Sequence, residues 1–338
     1  MNPSMNMSGM EMAPEWAAGL LAWPAMLAQS LIFGSAMLSL MLRRSTVNGA
    51  VSRATLGRAL AGWWRIFALV AAIMSWLMFV DQVAGMAGVS WRGALPLLGE
   101  VLRQTQGGNI WEWRLPATVA LLIVAWMPMR DSVRALALLI LCAALFLGGS
   151  LMSHAIDFGA IAIASSFVHS MAAGAWTGAL FGYWVGARSC EEKSQLRIEA
   201  AQALSTLATW SVSILIGSGI YLAYEGLGHS LYHLLYSSYG RVLSLKVELF
   251  AVILVVGAYN RLYLIPKIDQ PSSRRTLLRN VSAEALMIIG VIGLAALLAA
   301  TPPARMSLDM SESKKLSRNA KLFVSVKPLK GFTLPTVH

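Results

Sequence analysis

Eight stretches of this 338-residue chain are apolar over about the length that a helix needs to cross a lipid bilayer. A helix rises 1.5 Å per residue, so about 20 mostly apolar residues span roughly 30 Å of hydrocarbon. The predicted spans are Trp16–Leu42, Ala61–Val80, Trp113–Met129, Val133–Leu151, Ala160–Ala187, Leu204–Tyr224, Val242–Tyr259 and Val281–Ala300. The sequence therefore predicts an all-α fold, a polytopic membrane helical bundle of about eight transmembrane helices.

Composition agrees with a lipid environment. Hydrophobic residues make up 57% of the chain and charged residues 13%, which is far from the composition of a water-soluble protein. The net charge of +11 is spread over short loops, so we expect no nucleic-acid partner. We divide the chain into a leader (1–15), helices one to four (16–151), helices five to eight with outer histidine loops (152–303) and a polar basic tail (304–338).

The basic residues predict the orientation. Alternate loops, beginning with the one after the first span, hold most of the Arg and Lys residues, whereas the other set holds Arg92, Arg103, Arg114 and Arg241. Because cytoplasmic loops carry the excess of Lys and Arg, the first set is expected inside and both termini in the periplasm. We discount the basic tail, because long terminal segments translocate largely regardless of charge. The expected location is the bacterial inner membrane.

Methionine is concentrated in the first fifteen residues, MNPSMNMSGMEMAPE, where Met5, Met7, Met10 and Met12 follow the initiator. Thioether sulfur is a soft, neutral ligand that suits Cu(I), and a flexible chain can wrap several sulfurs around one ion. The leader is therefore a candidate copper-binding segment. A disordered leader with chance methionines is the alternative.

Histidine is scarce, and four of the five residues fall on or near the predicted outer face. His154 lies close to Asp157 in SHAID, and His229 and His233 form HSLYH, where a helix would place both rings on one face. An interfacial turn in which the histidines lie beside tyrosines is the alternative for HSLYH. We take these four side chains as candidate metal ligands.

His169 is the strongest candidate, because a polar ring inside hydrocarbon is costly and faces a partner or a cavity. It lies about nine residues into the fifth span, roughly 13 Å from its outer end. Met152 and Met171, near the same end, are candidate exchangeable ligands for onward movement. The alternative is a structural histidine that hydrogen-bonds to a serine of the next helix.

Three further ionisable residues lie in the last two spans. Lys246 and Glu248 point to different faces of a helix, so each needs a partner elsewhere; they line a polar path or form a buried ion-pair network. Glu284 is near the inner boundary, from which its side chain could extend to the water.

From about His154 to Pro303 the chain resembles the copper resistance protein D family of bacterial inner-membrane proteins. The matching stretches are SHA at 153–155, HSMAAGAWTGAL at 169–180, SGIYLA at 218–223, YGRVLSLK at 239–246, GAYNRLYLIP at 257–266, Glu284 and TPP at 301–303. The family's second Gly after Trp is replaced by Ala179, which is expected to loosen a close helix contact slightly. The first three predicted spans match in hydrophobic character only.

The resemblance implies copper handling beside a soluble periplasmic copper carrier of the CopC type, with import into the cytoplasm. It marks His154 and His169 as the family-like histidines. We therefore expect a copper permease, not an enzyme, with Cu(I) or Cu(II) as cargo; there is no nucleotide-binding loop. Two rival hypotheses are a copper-sequestering module without transport and a haem-binding electron carrier, which would need axial ligands on facing helices.

Overall fold

The computed structural model describes residues 15–43, 50–189 and 195–304, so the Met-rich leader with Met5, Met7, Met10 and Met12 and nearly all of the tail lie outside it. In these ranges all regular elements are helical. The long helices are α1 (Glu15–Leu42), α2 (Ala50–Ala87), α5 (Gln106–Trp126), α6 (Asp131–Leu151), α7 (Ala160–Ser189), α8 (Gln195–Gly226), α10 (Ser238–Tyr259) and α11 (Pro271–Ala300). Short elements are α3 (Trp91–Ala94), α4 (Leu98–Gln104), α9 (Tyr232–Tyr236), a 3-10 helix at His154–Phe158 and a π-helix at Asn260–Leu264.

Each predicted span falls on one of these long helices, and the third runs a few residues past the end of α5. The helices extend beyond the apolar windows. α2, for example, has 38 residues, a length of about 57 Å, nearly twice the hydrocarbon thickness. The apolar pattern thus locates the helices, whereas their polar extensions follow from packing at the two ends of the bundle.

Six of the long helices in the described ranges are long and apolar enough to cross a membrane, namely α1, α2, α6, α8, α10 and α11. α5 and α7 are outside this set, so the predicted count of eight spans is not reached by length and composition. α5 has Glu112 and Arg114 in its first half. α7 is rich in Gly, Ala and Ser, because much of its surface is enclosed by other helices and meets protein instead of lipid.

α7 forms the centre of the bundle, packing against α1, α8, α6, α11 and α2. The tightest contact is with α1, where Gly178 lies against Gly34. A Cβ on Gly178 would be 2.6 Å from both Gly34 Cα and Gly34 N, so no larger residue fits. Ala179 is itself fully buried beside this crossing. The sequence predicts that Ala179 loosens a close helix contact slightly. In the structure Gly178, the residue before it, keeps α7 and α1 in close contact.

The outward faces are strongly apolar. Ile220, Val255 and Leu286 expose 67%, 70% and 71% of their surface, and many large apolar side chains on α2, α6, α8 and α10 are similarly exposed. Such a surface would aggregate in water, since contiguous apolar patches of this extent mark interaction or membrane surfaces. The bundle therefore presents its apolar exterior to lipid.

Antiparallel packing collects the helix ends into two groups. We call one group the histidine end; there α2, α6, α8 and α11 finish and α1, α5, α7 and α10 begin. A Cβ on Gly19 would lie 3.2 Å from Leu297 Cα, which joins the start of α1 to the end of α11. We call the opposite group the basic end. There Asp131 is 4.0 Å from Arg43 and 3.3 Å from Arg134.

The long connection at the histidine end is a folded cap. α3, a 3-10 turn and α4 pack on a second apolar cluster around Phe79, Val83 and Trp111, and Trp111 Nε1 donates to Gln82 Oε1 at 2.8 Å. Gly108, at the start of α5, packs against the Val101 and Leu102 carbonyls so closely that a Cβ would overlap them. A glycine at this position therefore allows the close packing of α4 on α5.

Candidate functional site at the histidine end

His169 lies on α7 about nine residues from the start of the helix, with its ring against α8. Its Nδ1 is 2.9 Å from Ser218 Oγ. The Ser218 hydroxyl donates its single proton to the Ile214 carbonyl at 2.6 Å, so toward His169 the hydroxyl oxygen acts as the acceptor. The proton of neutral His169 is therefore on Nδ1, and its Nε2 carries a free lone pair. The hydrogen bond to a serine of the next helix, which the structural-histidine alternative predicts, is present. It leaves Nε2 as the ring nitrogen that a metal ion could bind.

Small residues and one cation surround the ring. A Cβ on Gly219 would lie 3.4 Å from His169 Cε1, so the glycine lets the imidazole lie flat on α8. Lys246 of α10 is close enough for its charge to interact with His169. Trp176, two turns along α7, is buried and meets Phe250 of α10 edge to face, with 5.9 Å between ring centroids. The His169 ring thus lies where α7, α8 and α10 meet.

His154 opens the 3-10 turn between α6 and α7, where the Ser153 hydroxyl accepts from the Ala155 N–H. Its ring hydrogen-bonds to the backbone of Ala299 at the end of α11. Burial lowers the pKa of His154 from its ordinary value; Asp157, which is exposed, and the Ala299 bond act against this shift. His154 therefore ties the loop to α11 and stays neutral at neutral pH.

The two candidate methionines differ in availability. Met152 Sδ accepts a hydrogen bond from Arg114 Nη1 at 3.2 Å, and the buried guanidinium also lies over the Trp111 ring, 4.7 Å from its centroid. A sulfur facing a fixed cation is a poor ligand for a second cation. Met171 is half-buried against the main apolar core. Of the two, Met171 is the better ligand candidate.

HSLYH does not form a single helix. His229 has φ +64° and precedes α9, whereas His233 lies within it, so the expected i, i+4 arrangement on one face was wrong. His229 Nε2 is 3.2 Å from Glu225 Oε2 and its ring stacks on Tyr224. His233 Nδ1 donates to the Leu227 carbonyl at 2.7 Å. The two rings have separate partners, as the interfacial-turn alternative predicts.

The candidate ligands are therefore dispersed over the histidine end. In the described ranges no group of three or more His, Cys, Asp or Glu side chains is arranged to hold a metal ion. His154 and His169 each use one ring nitrogen on a different neighbour, Ala299 and Ser218. The described residues thus present single candidate donors and no assembled site, and the leader sulfurs lie outside the described ranges.

Sequence reasoning missed a polar network in the other half of the bundle. Glu284, whose side chain could have extended to the inner water, is instead 2% exposed and accepts a hydrogen bond from Asn260 Nδ2. Asn260 Oδ1 in turn accepts from Asn280 Nδ2 at 2.7 Å. The signal was present in GAYN and in the Asn280–Glu284 spacing of four, which places both side chains on one helical face.

Lys246 and Glu248 form no ion pair with a described residue. The alternative that these two side chains belong to a buried ion-pair network is therefore without support. Lys246 is half-buried toward α7, and Glu248 is exposed on the outer face of α10.

Comparison with known proteins bears on this architecture. Residues 12–161 match the family described as copper resistance protein D-like, N-terminal domain, and residues 198–298 match copper resistance protein D. The chain belongs to the copper resistance protein D family. The match extends through the first three spans, where sequence reasoning found only hydrophobic character. Inner membrane protein YebZ of Escherichia coli (strain K12) is 28% identical over 256 residues, which cover 72% of this chain and 83% of that protein. No solved structure matches.

Membership makes this chain a copper resistance membrane protein of the inner membrane, with several membrane-spanning helices. Both family segments contribute to the histidine end. The first contains Arg114, Met152 and His154, and the second contains Ser218 and Lys246. The second segment also contains the Asn260–Glu284 pair in the other half of the bundle. His169 lies between the two matched segments, on the central helix that joins them.

Proposed function

We propose that this protein moves copper across the inner membrane, from the periplasm into the cytoplasm, with His169 as the entry ligand within the bundle. The observation that carries the proposal is the free Nε2 of His169. Ser218 and Ile214 fix the ring tautomer, and imidazole nitrogen is a ligand that copper accepts in either oxidation state. A family concerned with copper resistance supplies the identity of the cargo.

The orientation follows from charge. Arg43, Arg130, Arg134, Arg188 and Lys267 all lie at the basic end, which the excess of cationic residues assigns to the cytoplasm. The histidine end then faces the periplasm, with both termini there. We include α5 and α7 as spans, for a total of eight. α7 has 30 residues and lies between spans, and α5 has 21 and packs along α2 and α6.

Delivery involves the outer donors. The Met-rich leader and a periplasmic carrier of the CopC type present copper to the histidine end, where His229, His233 and His154 with Asp157 offer weak, separate contacts. Transfer to His169 and Met171 then proceeds by ligand exchange. Dispersed single donors suit this role, because a site that holds an ion too tightly cannot release it. The proposal assigns no catalytic residue.

Uptake of isotopic copper into proteoliposomes tests the proposal. Wild-type protein is expected to accumulate copper, and His169→Ala to lose most of the initial rate. Ser213→Ala is the matched control, because this exposed hydroxyl of α8 donates to Thr209 and does not contact His169. Equal uptake by wild type and His169→Ala contradicts the assigned entry ligand. Copper binding without uptake by the wild type supports sequestration instead.

A further inference from the structure

Glu284 is a carboxyl group buried between α10 and α11 in the half of the bundle nearer the basic end. Its Oε1 accepts from the Asn260 amide, whose own oxygen accepts from Asn280. The order of these bonds makes the Asn260 NH₂ the donor to Glu284, since the amide oxygen is already used. Both Glu284 and Asn260 are at least nine-tenths buried, at 2% and 5% exposure.

No cation forms an ion pair with this carboxyl among the described residues. Arg279 of α11 and Lys267, in the 3-10 turn that packs on α11, are both exposed. α1, which packs on α11, has no ionisable side chain between Ala18 and Leu42. Arg261, next to Asn260, points to α8, where it donates to the Ser205 carbonyl and to Thr209. Lys246 is fourteen residues before Asn260, about 21 Å along α10, and lies near His169 instead.

α7 also packs against α11, and its half nearer the basic end contains Tyr183, whose phenol is ionisable. It is buried among groups of the basic end and interacts with Arg197 and Arg274. Glu284 forms no ion pair with any described residue. The carboxyl is therefore held by one amide donor and no countercharge.

A carboxylate without a countercharge is very costly in a low-dielectric interior, so Glu284 must take up a cation or a proton. The chemical type of the oxygen atoms at the site decides between a metal cation and a proton. A carboxylate and amide oxygens are hard ligands, whereas Cu(I) prefers thioether, thiolate and imidazole. A proton needs only one oxygen and leaves the other free to accept from Asn260. The chemistry of the site thus favours protonation.

The polar side chains around Glu284 extend toward the basic end of the bundle. Asn280 precedes Glu284 by one helical turn on that side and is half-buried, so the network runs from the buried carboxyl toward the cytoplasmic surface. On the facing helix, the Ile265 N–H donates to the Asn260 carbonyl five residues earlier. This wide turn lets Asn260 face α11 while Arg261 faces α8. Such π-helical turns occur often at functional sites.

We propose that Glu284 is a proton-exchange site open to the cytoplasmic side and that its proton exchange accompanies copper movement; the second clause rests on the proposed transport function. Exchange forms and breaks only the O–H bond of the carboxyl, with water as the partner. Asn260 orients the carboxyl and Asn280 links it to the basic end, so both are positioning residues.

Two measurements test the proposal, with Glu284→Gln as the variant, because glutamine keeps an acceptor for Asn260. Glu248→Gln is the matched control, an exposed glutamate of α10 outside the network. In infrared spectra of the lipid-reconstituted protein at neutral pH, wild type and Glu248→Gln are expected to show the carbonyl stretch of a protonated carboxylic acid. That band should shift in D₂O and be lost in Glu284→Gln. An unchanged band in Glu284→Gln overturns the proton site, whether or not copper is transported.

The second measurement is copper uptake with an imposed pH gradient. Wild type and Glu248→Gln are expected to change their initial rate with the gradient, and Glu284→Gln to lose that response while still binding copper. A purely structural glutamate would leave the response intact, so persistence of the response in Glu284→Gln overturns the coupling. Absence of wild-type uptake refutes the transport function and, with it, the coupling, whereas the infrared band still decides the proton site.

Discussion

Ser218→Ala isolates the contribution of one hydroxyl to the candidate copper ligand. In the native bundle this hydroxyl accepts from His169 Nδ1 at 2.9 Å, and the variant leaves that N–H without its partner. The backbone carbonyl of Ile214 also loses a side-chain donor, but it lies in a helix and keeps its main-chain environment. The defect is therefore concentrated on His169.

The magnitude follows from the type of bond. A neutral hydrogen bond contributes about 0.5–1.5 kcal/mol, and the loss of a partner that orients a metal-binding histidine typically lowers metal affinity about 10–100-fold. We expect the lower part of that range, about tenfold or 1.4 kcal/mol, because Gly219 still supports the ring on α8. His169→Ala, which removes the ligand itself, is expected to have the larger effect.

Competition with a Cu(I) chelator, on detergent-purified protein, measures this difference. Ser213→Ala is the control, since its hydroxyl makes the same type of bond to the carbonyl four residues earlier on the same helix but is exposed. The reasoning is refuted if Ser218→Ala binds copper as tightly as wild type while His169→Ala does not, because Ser218 would then have no effect on the ligand nitrogen.

Two further predictions concern the scaffold and its orientation. Gly178→Ala is expected to lower the free energy of unfolding of the purified protein by about 1–3 kcal/mol, because the new methyl group overlaps Gly34. Gly217→Ala is the control: it has open space around it, so its thermal unfolding midpoint should equal that of the wild type. A cysteine replacing Leu231, at the histidine end, should react with a membrane-impermeant maleimide in intact cells; in contrast, one replacing Arg275, at the basic end, should react only after permeabilisation, and the reverse pattern would invert the topology.

The positions of the helices were readable from the sequence, because lipid demands a long apolar run and an internally bonded backbone at each crossing. α7 shows where this reasoning weakens. Its Gly- and Ala-rich composition reflects enclosure by other helices, so its apolar length says less about membrane crossing than about packing. Its central place depends on the Gly34–Gly178 contact between residues far apart in sequence.

The candidate site was predictable in part for the same reason. His169 could be singled out, since an imidazole within an apolar helix needs a partner, and the structural-histidine alternative named a serine of the next helix as that partner. Met152 and HSLYH were assessed less well. The decisive neighbour of Met152, Arg114, lies on another helix, and His229 lies in a turn whose left-handed backbone brings its ring beside Glu225 at the end of α8.

Sequence alone determined that this chain is a membrane-embedded helical bundle with four of its five histidines toward one end, because hydrophobic length and residue type are local properties. Only the tertiary structure decided which nitrogen of His169 is free, that Met152 faces a cation, and that Glu284 is buried beside Asn260 without an ion pair to a described residue. Those properties depend on distances between helices, and side-chain chemistry in a low-dielectric interior is set by the nearest partner.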